Sequence, residues 1–313
     1  MSEKKKIKVA AVVGPTASGK TALGISLAKE LNGEVISADS MQIYKGMDIA
    51  TAKPSQEEMQ GIPHHLIGFL DRGTSFSVAD YVELAGKAIA DVHSRGKLPV
   101  IVGGTGLYIS SLLENVKFAD IKSDEELRRK LEAQAVLNGN EYLFKKLEAC
   151  DPETAAELHP NNLVRVIRAL EVFELTGKKL SEFRAESKME ETPYDPVIIG
   201  LACKDRQKLY DRINRRVDMM LEAGLVNEAR LVYESGNIKT AGNAIGYKEL
   251  IPYFENECTL EECIGKIKQE TRRYAKRQLT WFRRNAEIHW VLLDEFDDRE
   301  KILNFCKKLI AKA

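Results

Sequence analysis

Apolar positions along this chain fall into short continuous runs and into stripes with helical spacing. The runs are Ile7–Val13, Glu34–Ala38, Leu98–Gly103, Pro196–Cys203 and Ile288–Asp294. In the first three the pattern is continuous, not alternating, which predicts strands covered on both faces. Helices are predicted between and after them, over Thr21–Leu31, Ser77–Arg95, Asp205–Leu231 and Leu260–Arg284. The Ser77 helix opens on SVAD, a capping-box-like start with Asp in place of Glu, and stops before Gly96. Strands alternating with helices predict a doubly wound α/β core. From Phe118 to Thr192 the strand signal disappears. Asn-Gly, Asp-Pro and His-Pro-Asn-Asn punctuation divides this stretch into three or four helices. The expected organisation is a first part of the core over 1–117, a helical insertion over 118–192 and a second part of the core over 193–313.

Composition changes this picture little. The 313 residues are 44% hydrophobic and 30% charged, as in an ordinary globular protein. No apolar run approaches the roughly 20 residues that span a bilayer. The basic start MSEKKK leads into a short apolar run and reads as the entry to a first strand, not a signal peptide. Five scattered cysteines, with no zinc-like spacing, suit a reducing cytoplasm. Net charge is zero, from 47 basic and 47 acidic residues, which argues against a general nucleic-acid coat. The charge is uneven, however: Lys266–Arg284 holds eight basic residues and one acid, as suits one specific polyanion.

The chemistry begins where the first strand ends. GPTASGKT, Gly14–Thr21, meets G-x-x-x-x-G-K-[ST] at every fixed position, between a predicted strand and a predicted helix. Gly14 and Gly19 let the backbone curl so that its N–H groups face an anion, and the helix N-terminus adds partial positive charge. Pro15, Thr16, Ala17 and Ser18 complete the loop. Lys20 neutralises phosphate oxygens, and the Thr21 hydroxyl is placed to ligate Mg²⁺. The motif specifies a diphosphate-like group and is silent on what carries it. A nucleotide hydrolase adds an Asp that closes a buried strand and holds the metal. Here the candidate strand ends instead in GGTG, Gly103–Gly106, and the available acid is Asp39 at the end of the second strand. Arg212 and Arg216 stand i,i+4 on one helix face, either to reach the diphosphate from the far side or as a solvated basic face.

GPTASGKT, SADSMQIYKGMDIATAKP, GIPHHLI, FSVADY, VGGTGLY, RVIRALEV, AIGYKE and TRRYAKRQLTWFRR occur in this order. Together, from Val9 to Trp290, they resemble the tRNA dimethylallyltransferases, which modify adenosine 37 beside the anticodon. The resemblance implies a P-loop NTPase-like fold whose loop holds the diphosphate of dimethylallyl diphosphate, with Mg²⁺, in place of ATP. It implies that Asp39 is the general base, that Ser40, Met41 and Gln42 meet the target nucleotide, and that Thr105 lies at the diphosphate end across the reaction channel. An N-cap role for Thr105 is compatible with that. The residues suit the chemistry. Adenine N6 is a poor nucleophile, so attack on an allylic carbon needs a stabilised leaving diphosphate and a carboxylate that takes the proton late.

The segment TRRYAKRQLTWFRR interleaves cations with Tyr274, Trp281 and Phe282, which supplies both base stacking and phosphate contacts. An amphipathic helix with Leu279, Trp281 and Phe282 in the core has the same composition. The resemblance implies that Lys276, Arg277, Gln278, Thr280, Trp281, Phe282 and Arg283 line the RNA path. It maps Arg128, Val164, Arg165 and Arg168, and separately Asn243, Gly246, Tyr247 and Lys248, onto other tRNA-contacting stretches. Arg165 and Arg168 share a helix face, as phosphate clamps would, and the insertion is expected to close on the anticodon stem. His64 and His65 point different ways and are expected to make local hydrogen bonds instead of binding metal. Relatives commonly carry Asp where this chain has Gly68. A cytoplasmic monomer is expected, with tRNA and dimethylallyl diphosphate as partners and no membrane. Two other readings use the same residues: a P-loop nucleoside or nucleotide kinase using ATP, and a non-catalytic RNA-binding protein.

Overall fold

The computed structural model describes residues 6–116, 118, 124–187, 191–236 and 241–312. The basic start at residues 1–5, and residue 117 beside the expected domain boundary, lie outside the described residues. The chain divides into two compact units, residues 1–113 with 193–313, and residues 114–192.

The first unit opens with β1 (Ile7–Val13), α1 (Lys20–Glu30), β2 (Gly33–Ala38), α2 (Gln56–Met59), β3 (His64–His65), α3 (Val78–Ser94), β4 (Leu98–Gly103) and α4 (Gly106–Leu113). The second unit is helical, with α5 (Glu125–Asn138), α6 (Asn140–Cys150), α7 (Pro152–Ala156), α8 (Leu163–Thr176) and α9 (Leu180–Ser187). The first unit resumes with β5 (Tyr194–Ala202), α10 (Arg206–Glu222), α11 (Leu225–Glu234), α12 (Ile251–Phe254), α13 (Leu260–Phe282), β6 (His289–Leu292) and α14 (Arg299–Lys312).

The six strands form one sheet in the order β3-β2-β4-β1-β5-β6, and every ladder is parallel. Its central strands are apolar on both faces because helices cover both. Alternate residues of β1 divide between them. Val9, Ala11 and Val13 pack with Tyr81, Ala85 and Ile89 of α3 and Ile109 and Leu112 of α4. Ala10 and Val12 pack with Leu23 and Leu27 of α1 and Ile302, Cys306 and Ile310 of α14. A parallel sheet brings its strand ends together at one edge, so the loops after β1, β2 and β4 meet above it. In the second unit, Leu131, Leu143, Leu147, Val166 and Leu170 close a separate core.

The structure corrects the sequence reading in several places. Asp205–Leu231 is not one helix: α10 stops at Glu222, and α11 begins after Gly224, whose φ is 98°. The insertion holds five helices among the described residues, not three or four, because Asn-Gly and Asp-Pro each end one helix and cap the next. Strand β3 has only two residues, too short for any periodicity to show.

Candidate active site

Gly14–Thr21 curls from the end of β1 into α1, with Gly19 as the left-handed N-cap (φ 85°) and Ala17 also left-handed (φ 62°). Lys20 folds back over the loop, and its Nζ donates to the Pro15 carbonyl at 2.7 Å. A cavity of about 300 Å³ opens here, with Thr16, Lys20 and Thr21 in its wall. Asp39 and Arg216 line the same cavity. Burial, and then the charge of Arg216, lowers the Lys20 pKa to about 7, with Asp39 working in the opposite direction. Burial likewise lowers the Arg216 pKa, and Asp39 partly restores it. Three charged groups therefore share a weakly solvated space. An incoming anion would relieve the repulsion between the two cations.

Asp39 sits just past β2 in an Asx-type turn. Its Oδ1 accepts the N–H groups of Met41 (2.9 Å) and Gln42 (3.2 Å). Among the described residues no hydrogen bond is made to Oδ2, so one oxygen orients the carboxylate and the other is left to accept a proton. Thr105 reaches this turn from the end of β4: its N–H donates to the Ala38 carbonyl at 3.1 Å, and its Oγ1 accepts the Ser40 N–H at 3.0 Å. Thr105 also begins α4, where its carbonyl accepts the N–H groups of Tyr108 and Ile109. Close approach explains the glycines beside it. A Cβ on Gly103 would lie 2.1 Å from the Ala38 carbonyl oxygen.

The same cavity wall carries an apolar set, Val35, Val102, Ile213, Val217, Met220 and Leu225. The loop after β2 closes one side. Gln42 Nε2 donates to the carbonyls of Thr51 (3.0 Å) and Ala52 (3.2 Å). Glu228 of α11 accepts the N–H groups of Asp48, Ile49 and Ala50 and the Tyr247 hydroxyl (2.7 Å). This carboxylate escaped the sequence reading, because no motif surrounds it. Asn243, Gly246 and Lys248 line the cavity, whereas Tyr247 is buried against Glu228. Arg212 is exposed and outside the cavity wall, so the two arginines of α10 part company.

Helix α13 begins at a capping box, with the Thr259 hydroxyl on the Glu262 N–H and the Glu262 carboxylate on the Thr259 N–H. Its cations divide along its length. Lys268 pairs with Asp218 (2.5 Å), Arg273 with Glu270 (2.6 Å), and Arg272 bonds Asn214 (2.7 Å). Lys276, Arg277, Arg283 and Arg284 are exposed and have no ion-pair partner among the described residues. Thr280 shares that exposed face. Trp281 is half-buried over Gly106, and its Nε1 donates to Ser110 Oγ at 3.2 Å. Gln278 and Phe282 are buried, at 6% and 3% exposure. Gln278 lines the cavity that holds Asp39, whereas Phe282 belongs to the core that includes Tyr108 and Ile109. Gln278 follows the inward stripe of Ile267, Thr271 and Tyr274, a helical period legible in the sequence.

In the helical unit, Arg128 grips the buried Glu171 through two bonds of 2.8 and 2.9 Å, and Arg168 bonds it at 2.6 Å. Hydrogen bonds from both arginines, opposed by burial, hold the Glu171 carboxyl below its ordinary range. Arg165 and Val164 are exposed. His64 Nδ1 meets the Ile62 carbonyl at 2.8 Å, and His65 Nε2 meets Glu34 at 2.7 Å. Gly68 is left-handed (φ 58°), and a Cβ there would lie 3.5 Å from Lys53 Nζ. An Asp side chain at this position would face Lys53, which Asp48 pairs with here at 2.5 Å.

Known proteins resemble this chain over nearly its whole length. The sequence pattern of the IPP transferase family matches residues 42–285. A tRNA dimethylallyltransferase of Acetivibrio thermocellus is 51% identical over 97% of both chains. Another, from Thermoanaerobacter sp. strain X514, is 50% identical over 98% of both. The crystal structure of a Bacillus halodurans tRNA isopentenylpyrophosphate transferase, 49% identical, covers 98% of each chain with a TM-score of 0.72. A eukaryotic dimethylallyltransferase acting on tRNA, 31% identical, superposes with a TM-score of 0.83 over 98% of this chain and 80% of its own. The chain belongs to the IPP transferase family, together with these tRNA dimethylallyltransferases.

Proposed function

We propose that this enzyme transfers the dimethylallyl group of dimethylallyl diphosphate to N6 of adenosine 37 in a tRNA anticodon loop and releases diphosphate. One observation carries the reading: a single cavity joins the phosphate loop, an apolar wall and the Asp39 carboxylate. That sequence of surfaces matches a donor with an anionic head and a short hydrocarbon tail, with the acceptor nitrogen arriving at the base. The loop N–H groups, Lys20 and Arg216 stabilise the charge that grows on the leaving diphosphate as the C–O bond breaks. The apolar wall excludes water from the allylic carbon, so that N6 captures it ahead of hydrolysis. Asp39 Oδ2 takes the proton that N6 loses as it bonds, and Thr105 and the Met41 and Gln42 N–H groups hold the carboxylate turn in place. An adenine inside a loop must leave its stack to reach this base.

Thr21 lines the cavity beside Lys20, and its hydroxyl, in an all-oxygen donor set completed by the diphosphate, would suit Mg²⁺. The ion would add charge neutralisation at the leaving group. On the RNA side, the unpaired cations of α13 and the exposed Asn243 and Lys248 supply contacts to the anticodon arm. In the helical unit, the exposed Arg165 and Val164 are candidate RNA contacts of their own. There is no helix long and apolar enough to cross a membrane among the described residues.

The test is incubation with Mg²⁺, labelled dimethylallyl diphosphate and unmodified tRNA, with ATP in a parallel reaction. Label on the RNA without any need for ATP supports the proposal. ATP consumption with unlabelled RNA would restore the kinase reading.

A further inference from the structure

Gln278 reaches two loops that are far apart in sequence and that serve opposite ends of the reaction. Its Oε1 accepts the Thr16 N–H of the phosphate loop at 2.8 Å. Its Nε2 donates to the Gly104 carbonyl at 3.0 Å. The partners fix the orientation of the amide, since an N–H cannot accept and a carbonyl cannot donate. The fit is close: a Cβ on Gly104 would lie 2.2 Å from Nε2. Gly104 is covalently joined to Thr105, which holds Ala38 and Ser40 on either side of Asp39. A continuous chain of bonds therefore runs from the diphosphate loop through Gln278 to the base.

The sheet explains why such a link matters. The phosphate loop follows β1 and Asp39 follows β2, with β4 lying between them. Two strand spacings, about 10 Å, separate their roots. Beyond the strand ends no ladder hydrogen bond holds this distance, and displacement at carbon requires the nucleophile opposite the leaving group. A misplacement of about 1 Å in such an arrangement costs about 10²-fold in rate.

We propose that Gln278 is a positioning residue that sets the separation between the leaving-group loop and the Asp39 base. It is not an RNA contact, although it lies in the helix whose outer face carries the unpaired cations. The inference rests on the prenyl-transfer reading of the cavity.

The test compares wild type, Gln278→Leu and Gln278→Glu for kcat, for KM of each substrate and for tRNA Kd. The leucine variant loses both bonds, and its kcat is expected to fall about 10²-fold with tRNA Kd unchanged within a few-fold. The glutamate variant is isosteric and remains informative if leucine prevents folding. It keeps an acceptor for the Thr16 N–H but presents a carboxylate to the Gly104 carbonyl. Protonation of the introduced carboxyl restores a donor, so the ratio of its kcat to that of wild type should climb as pH falls. A merely space-filling role would leave that ratio flat, and a flat ratio overturns the inference. So does a leucine variant with wild-type kcat, or one whose main defect is a raised tRNA Kd. Wild-type transfer beside an unimpaired leucine variant overturns this inference alone. A wild-type enzyme that transfers nothing overturns the functional reading and this inference with it.

Discussion

Asp39 shows how one side chain divides its work. Oδ1 is occupied by two backbone N–H groups and Oδ2 by none among the described residues. Asp39→Ala should therefore lower kcat about 10²- to 10⁴-fold while tRNA Kd, measured by filter binding, stays within a few-fold. Lys20 gives a second expectation, in pH. Below its pKa of about 7 the free enzyme presents a cation to the diphosphate. Above it, binding must be accompanied by proton uptake, so donor affinity falls as pH rises from 7. Calorimetry in buffers of different ionisation enthalpy should detect that uptake at pH 8 and lose it in Lys20→Met. Both residues were legible in the sequence, since Lys20 lies in a fixed motif and Asp39 closes a predicted strand. Gln278 was legible only in part. The helical period places it on the inward stripe, while the two bonds its amide makes emerge only from the packing of that helix on two glycine-bearing loops.

At the level of elements, α13 separates its charges into a neutralised first half and an open second half. Lys276→Ala with Arg277→Ala should weaken tRNA binding and flatten the log–log salt slope by about 1.5. Lys268→Ala, whose cation is already paired with Asp218, should change that slope far less. The expected end of the helix at Arg284 overran the observed one at Phe282, while its start was readable because Thr259 caps it. The break between α10 and α11 was not, since one glycine within a long helical pattern costs only about 1 kcal/mol and rarely announces a stop. Likewise, β3 is recognisable only through its neighbour: His64 pairs with Val35 and His65 with Ile36. Strands β1 and β4 matched their apolar runs residue for residue, because burial on both faces keeps their centres continuously apolar.

For the molecule as a whole, Glu34 ties the start of β2 to three separate positions. It is buried and meets Arg95, Lys97 (2.7 Å) and His65 (2.7 Å). The bond from Arg95, assisted by Lys97 and His65 and opposed by burial, holds its carboxyl far below the ordinary carboxylate range. A depressed carboxylate contributes stability that is present above its unfolded value, about 4.5, and is lost as pH falls below it. Glu34→Gln should cost about 3 kcal/mol in urea unfolding at pH 7 and make the remaining stability less sensitive to acid. The insertion carries a different kind of consequence. Central strand β1 pairs along its whole length with β5, Ile7 opposite Tyr194 and Val13 opposite Gly200. A ribosome therefore releases β1 long before its partner exists, and the helical unit, with its own core, emerges in between. A released chain that ends at residue 192 should carry a protease-resistant 124–187 segment while residues 6–113 are still cut. The catalytic unit of this protein can close only after its inserted unit has been made.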